Sequence, residues 1–248
     1  LDLGQSVDPI ITSHTITAEG HQIGSYYGYV WDGVFQSQEE VNNAPYHTDD
    51  TQPGDFRFKD LNMDGKVDAK DRTIIGKPLP DYIYGFSANL SYGLVDLLMV
   101  FQGIHNYDVF NDTYRTIGIG TDMDGKDNNR LASVYEDHWS EENPSTTQTR
   151  LDKNDKAGNS RISSYFVEDA SFLRFKTLQM GVQLPEKVLN AVNMTSCRFY
   201  VSLDNLYVLT GYQGLDPEFG SKDPKYQGID SFTYPKSRTA MLGIQIQF

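Results

Sequence analysis

Ala240, Leu242, Ile244, Ile246 and Phe248 take every second position at the end of this 248-residue chain, with Met241, Gly243, Gln245 and Gln247 between them. Successive side chains of a β-strand point to opposite faces, so this period of two predicts a strand with one apolar face. Alternation alone fits a soluble sheet wetted on one side as well as a strand of a membrane barrel. Soluble domains usually fray at their termini, yet here the pattern runs unbroken to the final carboxylate.

Charge and composition narrow the choice. Acidic residues outnumber basic ones 34 to 21, for a net charge of -13. That balance supplies no basic patch for phosphates and excludes nucleic acid as a partner. It also speaks against charge-driven adsorption to anionic lipid. No apolar run approaches the roughly 18 residues of a transmembrane helix, a test that a barrel escapes. The single cysteine, Cys197, rules out an internal disulfide and a cysteine metal cluster and reads as a small, half-buried residue. The chain opens at Leu1 without an initiator Met, a charged n-region or an apolar h-region, so any signal peptide would lie outside this sequence, and a fragment or a processed piece is expected.

The first 52 residues are irregular, with a short strand predicted at Thr12 to Thr17. A Gly/Tyr-rich run, IGSYYGYVWDGVFQSQEEV from Ile23 to Val41, suits an ordered loop that packs its rings on one another or on a ligand. The sharpest chemical motif is KDLNMDGKVDAKD, Lys59 to Asp71. Asp60, Asn62 and Asp64 stand at positions 1, 3 and 5 of a twelve-residue loop, Gly65 at the sharp turn and Asp71 at position 12. With the Lys66 carbonyl they form an all-oxygen set suited to a structural Ca²⁺, and Val67 would pin the loop to its support. An acidic solvated turn is the plainer alternative. Asp replaces the usual bidentate Glu at position 12, and no helical pattern flanks the loop, which excludes a paired EF-hand. A poorer echo, DMDGKD from Asp122 to Asp127, lacks the later ligand positions and reads as a turn.

Strand patterns dominate from residue 82 onward. Tyr82, Tyr84, Phe86, Ala88, Leu90 and Tyr92 form one face against Ile83, Gly85, Ser87, Asn89 and Ser91. A tight turn at Tyr92-Gly93-Leu94 leads into Val95, Leu97, Met99 and Phe101. Such strands of about ten residues can cross a bilayer when tilted. Expected strands cover about 82–92, 95–103, 171–184, 198–209 and 237–248, with a short helical turn in PEKVLNAVNM. The connections run short, long, short, long, as in outer-membrane barrels with short periplasmic turns and long extracellular loops.

Several segments together resemble the C-terminal portion of the SusC/RagA-like family of TonB-dependent outer-membrane transporters. They are YYGYVWDGVFQSQEEV, PGDFRFKDLNMDGKVDAKDRTIIGKPLPDYIYGF, VEDASFLRFKTLQMGVQLP, SLDNLYVLTGYQGLDPE and YPKSRTAMLGIQIQF. The resemblance implies an all-β fold, the C-terminal strands of a large antiparallel transmembrane barrel, 22-stranded in the family. Residues 1–81 would be an extracellular loop region, residues 82–248 barrel strands, and 104–165 and 210–235 extracellular loops. It also implies a multi-pass protein of the Gram-negative outer membrane, in contact with its lipid, that imports oligosaccharides or peptides. Its partners would be a SusD-like surface lipoprotein and TonB, the latter through a plug region absent from this sequence. The acidic loop at Asp60, Asn62, Asp64, Lys66 and Asp71 matches the family's own, while no substrate residue carries over by motif. Trp139, Tyr212 and Tyr226 are candidate glycan contacts, because a ring covers the apolar face of a sugar. The terminal Phe248 resembles the aromatic assembly signal of outer-membrane barrels.

The rival reading is a secreted, calcium-stabilised carbohydrate-binding module or glycoside hydrolase domain. A hydrolase needs two carboxylates facing one cleft, and no Asp/Glu pair stands out. A dockerin would need a second good loop with helices. No nucleophile elbow or histidine metal spacing is present, so no enzyme is expected.

Overall fold

The computed structural model describes residues 8–121, 129–221 and 223–248; the acidic echo at 122–127 lies outside them. The chain divides into two compact units, one of residues 1–79, 108–169 and 218–233, the other of residues 80–107, 170–217 and 234–248.

In the first unit, with strands numbered along the whole chain, β1 (Ile10–Ile11), β2 (Thr15–Thr17), β3 (Ser25–Gly28) and β6 (Thr73–Gly76) form an antiparallel sheet in the order β1-β2-β3-β6. Two further antiparallel pairs join β4 (Trp31–Val34) to β5 (Phe56–Phe58) and β9 (Asp108–Phe110) to β10 (Val167–Asp169). The aromatic run at 23–41 packs on itself and its neighbours. Tyr26 and Val34 join Phe56, Phe58, Val67, Phe110, Ile119 and Phe166 in one core, with Tyr29 and Trp31 against it. Burying large rings supplies most of the unit's cohesion, at about 1.5–3 kcal/mol per large apolar side chain.

A buried carboxylate ties distant segments of this unit together. Asp55 Oδ1 accepts from Arg150 Nε and Asn159 Nδ2, each at 2.9 Å, and its Oδ2 accepts from the Gln52 N–H at 2.9 Å. Burial pushes the Asp55 carboxyl above its ordinary value, against the opposing pull of these donors. Short helices fill the connections: α1 (Gln38–Asn43), α2 (Asp112–Ile117) and α3 (Ala132–Asp137). Ser37 and Asn111 cap the first two, accepting from the Glu40 and Tyr114 N–H groups. Sequence patterning predicts no strand between 104 and 164, but β9 lies there; three residues are too few to show a period of two.

The second unit is one antiparallel sheet in the order β13-β12-β11-β8-β7, built from β7 (Tyr82–Tyr92), β8 (Val95–His105), β11 (Phe172–Gln183), β12 (Ser196–Thr210) and β13 (Thr239–Gln247). Gly93, at φ 58°, makes the tight turn between β7 and β8, and α4 (Glu186–Ala191) fills the connection between β11 and β12. The register gathers one apolar face: Leu90 opposite Leu97, Leu97 opposite Met180, Met180 opposite Val201, and Val201 opposite Leu242. Phe101 stacks on Phe175 at 4.5 Å between ring centres, with Phe86 6.1 Å on its other side. This face is exposed, Leu242 to 85% and Phe86 to 63%, far beyond the apolar patches of an ordinary soluble surface.

Lys176 interrupts the alternation. Phe175 pairs with Phe101 and Thr177 with Val100, so β11 carries one residue more than β8 at that point. This bulge brings Leu173 and Phe175, of one sequence parity, onto the same face as Leu178, Met180 and Val182, of the other.

Candidate functional site

The acidic loop is shaped by its own side chains. Asp60 Oδ1 accepts from the Met63 N–H at 2.7 Å and its Oδ2 from the Gly65 N–H at 2.8 Å. Asn62 Oδ1 accepts from the Asp64 N–H at 2.9 Å, and Asp64 Oδ1 from the Lys66 N–H at 3.2 Å. Asp71, fully buried, closes the loop by accepting from Leu61 and Asp68 N–H groups, each at 2.8 Å. Burial raises the Asp71 carboxyl, but the N–H groups of Asp68, Leu61 and Asn62 outweigh it and hold the group below its ordinary value. Met63 and Gly65 both take positive φ, 59° and 85°, which folds the loop back over residues 60–65. Ala69–Asp71 form a single 3₁₀ turn rather than an EF-hand helix.

The loop is anchored from beneath. Val67 lies in the core, and its N–H donates to the Tyr46 carbonyl at 2.7 Å while the Tyr46 N–H donates to the Gly65 carbonyl at 2.9 Å. Next to Tyr46, His47 is held as a neutral ring: Nδ1 is 2.7 Å from the Pro45 carbonyl, and Nε2 accepts from the Phe58 N–H at 3.0 Å. The candidate calcium donors are thus three carboxylates, one amide and one backbone carbonyl. The oxygens of Asp60 and Asp64 each accept one hydrogen bond and keep a second lone pair, whereas Asp71 Oδ1 already accepts from both the Leu61 and Asn62 N–H groups; the donor types are those that Ca²⁺ takes. Among the described residues no group of three or more His, Cys, Asp or Glu side chains converges as a metal cluster, so any ion here would rely on the mixed donors.

The three candidate glycan contacts are placed differently. Trp139 packs against the core of the first unit, its ring over Gly54 at 2.5 Å from where a Cβ would stand, and its Nε1 donates to Gln36. Tyr212, in the second unit, is 6% exposed. Tyr226 is 39% exposed and lines a cleft of about 360 Å³ with His14 and the hydroxyls of Ser13, Ser221, Ser231 and Thr233. Those five residues come from segments more than 200 positions apart, so nothing in the sequence marked them.

Three of the segments quoted for the resemblance meet at Asp216. Arg174 of FLRFK, 2% exposed, sets Nη2 2.5 Å from Asp216 Oδ1 of LDPE, and the Lys236 N–H of YPK donates to Asp216 Oδ2 at 3.0 Å. Tyr107 donates its hydroxyl to the neighbouring Pro217 carbonyl at 2.7 Å. Separately, Arg198 on β12 reaches over Gly181 of β11 to Asp96 on β8 and donates to Gln245 on β13 at 3.2 Å, joining the polar face of the sheet across its strands.

No family model matches the chain. It is 34% identical over 239 residues to the TonB-dependent receptor P3 of Formosa agariphila, covering 94% of this chain and 23% of that protein. To the TonB-dependent receptor SusC of Bacteroides thetaiotaomicron it is 24% identical over 246 residues, 97% of this chain and 21% of that one. Among solved structures, a chain of the RagAB peptide importer in its open-open state matches 99% of this chain with a TM-score of 0.72 at 20% identity, over 25% of its own length. The chain therefore spans about a quarter of the length of the proteins it matches, which are receptors and importers and not enzymes. With its exposed apolar sheet face, these matches identify the chain as a portion of a SusC/RagA-like TonB-dependent β-barrel protein of the Gram-negative outer membrane.

Proposed function

We propose that this chain supplies C-terminal barrel strands and extracellular loops to a SusC/RagA-type importer that takes up oligosaccharides or peptides with TonB and a SusD-like surface lipoprotein. The observation that carries the reading is the five-stranded sheet. One face is a continuous exposed apolar band and the other holds Arg198, Asp96, Gln245 and Thr177, as expected of a wall between lipid and a polar lumen. The hydroxyl-rich cleft around Tyr226 favours a glycan, since a ring and several hydroxyls suit a sugar. The loop at Asp60 to Asp71 acts as a structural calcium site that stiffens the outer region.

Uptake of labelled oligosaccharides and peptides by cells carrying the full-length protein tests this. Uptake should cease on removal of TonB or collapse of the proton-motive force. Transport that persists under both conditions would refute the proposal.

A further inference from the structure

We propose that the cleft between the end of β12 and the segment leading into β13 binds an oxyanion of the phosphate or sulfate class. The cleft has a volume of about 310 Å³ and is walled by Arg174, Asn205, Thr210, Asp216, Lys236 and Arg238. Three basic residues and one carboxylate are thus among its lining residues, the Arg174 guanidinium being paired with Asp216, in a chain whose net charge is -13. The whole-chain charge disfavours adsorption to an anionic surface, but a small group inside the cleft feels the local charges, because interactions between exposed charges fade over about 8–10 Å.

Asp216 is already engaged. One oxygen meets the buried Arg174 guanidinium and the other accepts from the Lys236 backbone, so its negative charge is matched from within the protein. Arg238 differs: it is exposed, and no carboxylate lies within ion-pair reach of it among the described residues. Its planar fork of donors suits two oxygens of one anion. The Asn205 amide donates one of its two hydrogens to the Ser237 carbonyl and keeps the other for the wall, whereas the single hydroxyl hydrogen of Thr210 is donated to the Ser171 carbonyl. A space of this size holds the anionic group together with part of the molecule that carries it.

The position in the sheet suggests where such a group would come from. Arg238 stands two residues before Ala240, where the exposed apolar row of β13 begins. Basic residues beside a membrane-spanning element are placed to meet lipid phosphates, and an anionic solute in transit would meet the same donors. The site itself rests on the geometry of the second unit, and only its lipid source rests on the barrel reading.

The test uses the full-length protein in detergent with two probes. Inorganic phosphate binding is followed by calorimetry, and retention of phosphatidic acid against phosphatidylcholine is followed by native mass spectrometry. At least one probe should bind, more weakly as salt rises. Lys236→Gln combined with Arg238→Gln should weaken binding at least about tenfold, and Arg238→Lys should restore part of it. Binding of phosphatidic acid alone identifies a lipid ligand, and binding of inorganic phosphate a soluble one. Failure of both probes, or a double variant that binds like the parent, overturns the proposal. Heat-modifiable gel mobility of each variant reports the intact barrel independently, so loss of the anion site is distinguishable from failure of the barrel.

Discussion

Arg198 and Asp96 are joined across an intervening strand, with the Arg198 Nε donating to Asp96 Oδ1 at 2.8 Å over the bare backbone of Gly181. A Cβ at position 181 would collide with the guanidinium, so the glycine is what lets β12 reach β8 on this face. The pair should act as one energetic unit. Asp96→Ala and Arg198→Ala are each expected to cost about 1.5–3 kcal/mol, and the double variant little more than either single one. Denaturant unfolding of the refolded barrel in micelles checks this, and simple additivity of the two costs would show that the pair is not coupled. Gly181→Val should reproduce the loss by occupying the path of the guanidinium.

The two faces of β8 and β11 should differ sharply in their tolerance of charge. Leu97 sits between Leu90 and Met180 on the apolar face, whereas Gln179 lies between Leu98 and Ser202 on the other. Leu97→Arg is expected to cost about 2–4 kcal/mol near the bilayer midplane, and Gln179→Arg much less. Equal costs in a lipid-vesicle folding assay would mean that the faces are misassigned.

His47 makes the first unit sensitive to mild acid. Burial holds its pKa below the ordinary value of 6.5, and protonating Nε2 would set an N–H against the Phe58 N–H that now donates to it. The unfolded chain binds the proton more readily than the folded one. The stabilisation is therefore fully present above about pH 6.5 and is lost as pH falls through the lower folded value. Thermal unfolding of the full-length protein between pH 7.5 and 5 should show this slope, and His47→Gln should flatten it. An unchanged slope in the variant would assign the effect elsewhere.

Calcium should order the acidic loop. Asp60→Ala removes the acceptor of both the Met63 and Gly65 N–H groups, so it should loosen residues 60–65 and abolish calcium-dependent protection from proteolysis between Pro53 and Gly76. Affinities of about 10⁻⁴–10⁻³ M suffice for an extracellular site. Protection indifferent to calcium in the parent protein would leave the loop an acidic turn held by its own hydrogen bonds.

Phe248 stands past the last paired residue of β13 and is 83% exposed. Deleting it should lower the amount of full-length protein assembled in the outer membrane without changing synthesis, as measured by membrane fractionation. Normal assembly would remove its role as a signal.

The period of two made the main strands legible, because side-chain direction in a strand depends only on neighbours along the chain. Tyr82 to Tyr92 and Ala240 to Phe248 display their apolar faces without any tertiary information. The acidic turn was legible for a similar reason: Asp60, Asn62 and Asp64 accept from N–H groups at most five residues away, so its shape needs no distant partner. Tyr212 shows the limit of such reading. Its ring in a polar loop suggests a ligand contact, yet it is buried, and burial depends on what folds over a residue.

Strand length, facing and the all-β class were therefore determined by the sequence itself, because they follow from local backbone geometry and the cost of placing apolar side chains in water. The tertiary structure decided the bulge at Lys176, the reach of Arg198 over Gly181, the meeting of Arg174, Asp216 and Lys236, and the gathering of residues 1–79, 108–169 and 218–233 into one unit. Each joins residues far apart in the chain, and local patterning carries no record of which distant segments will close the loops between them.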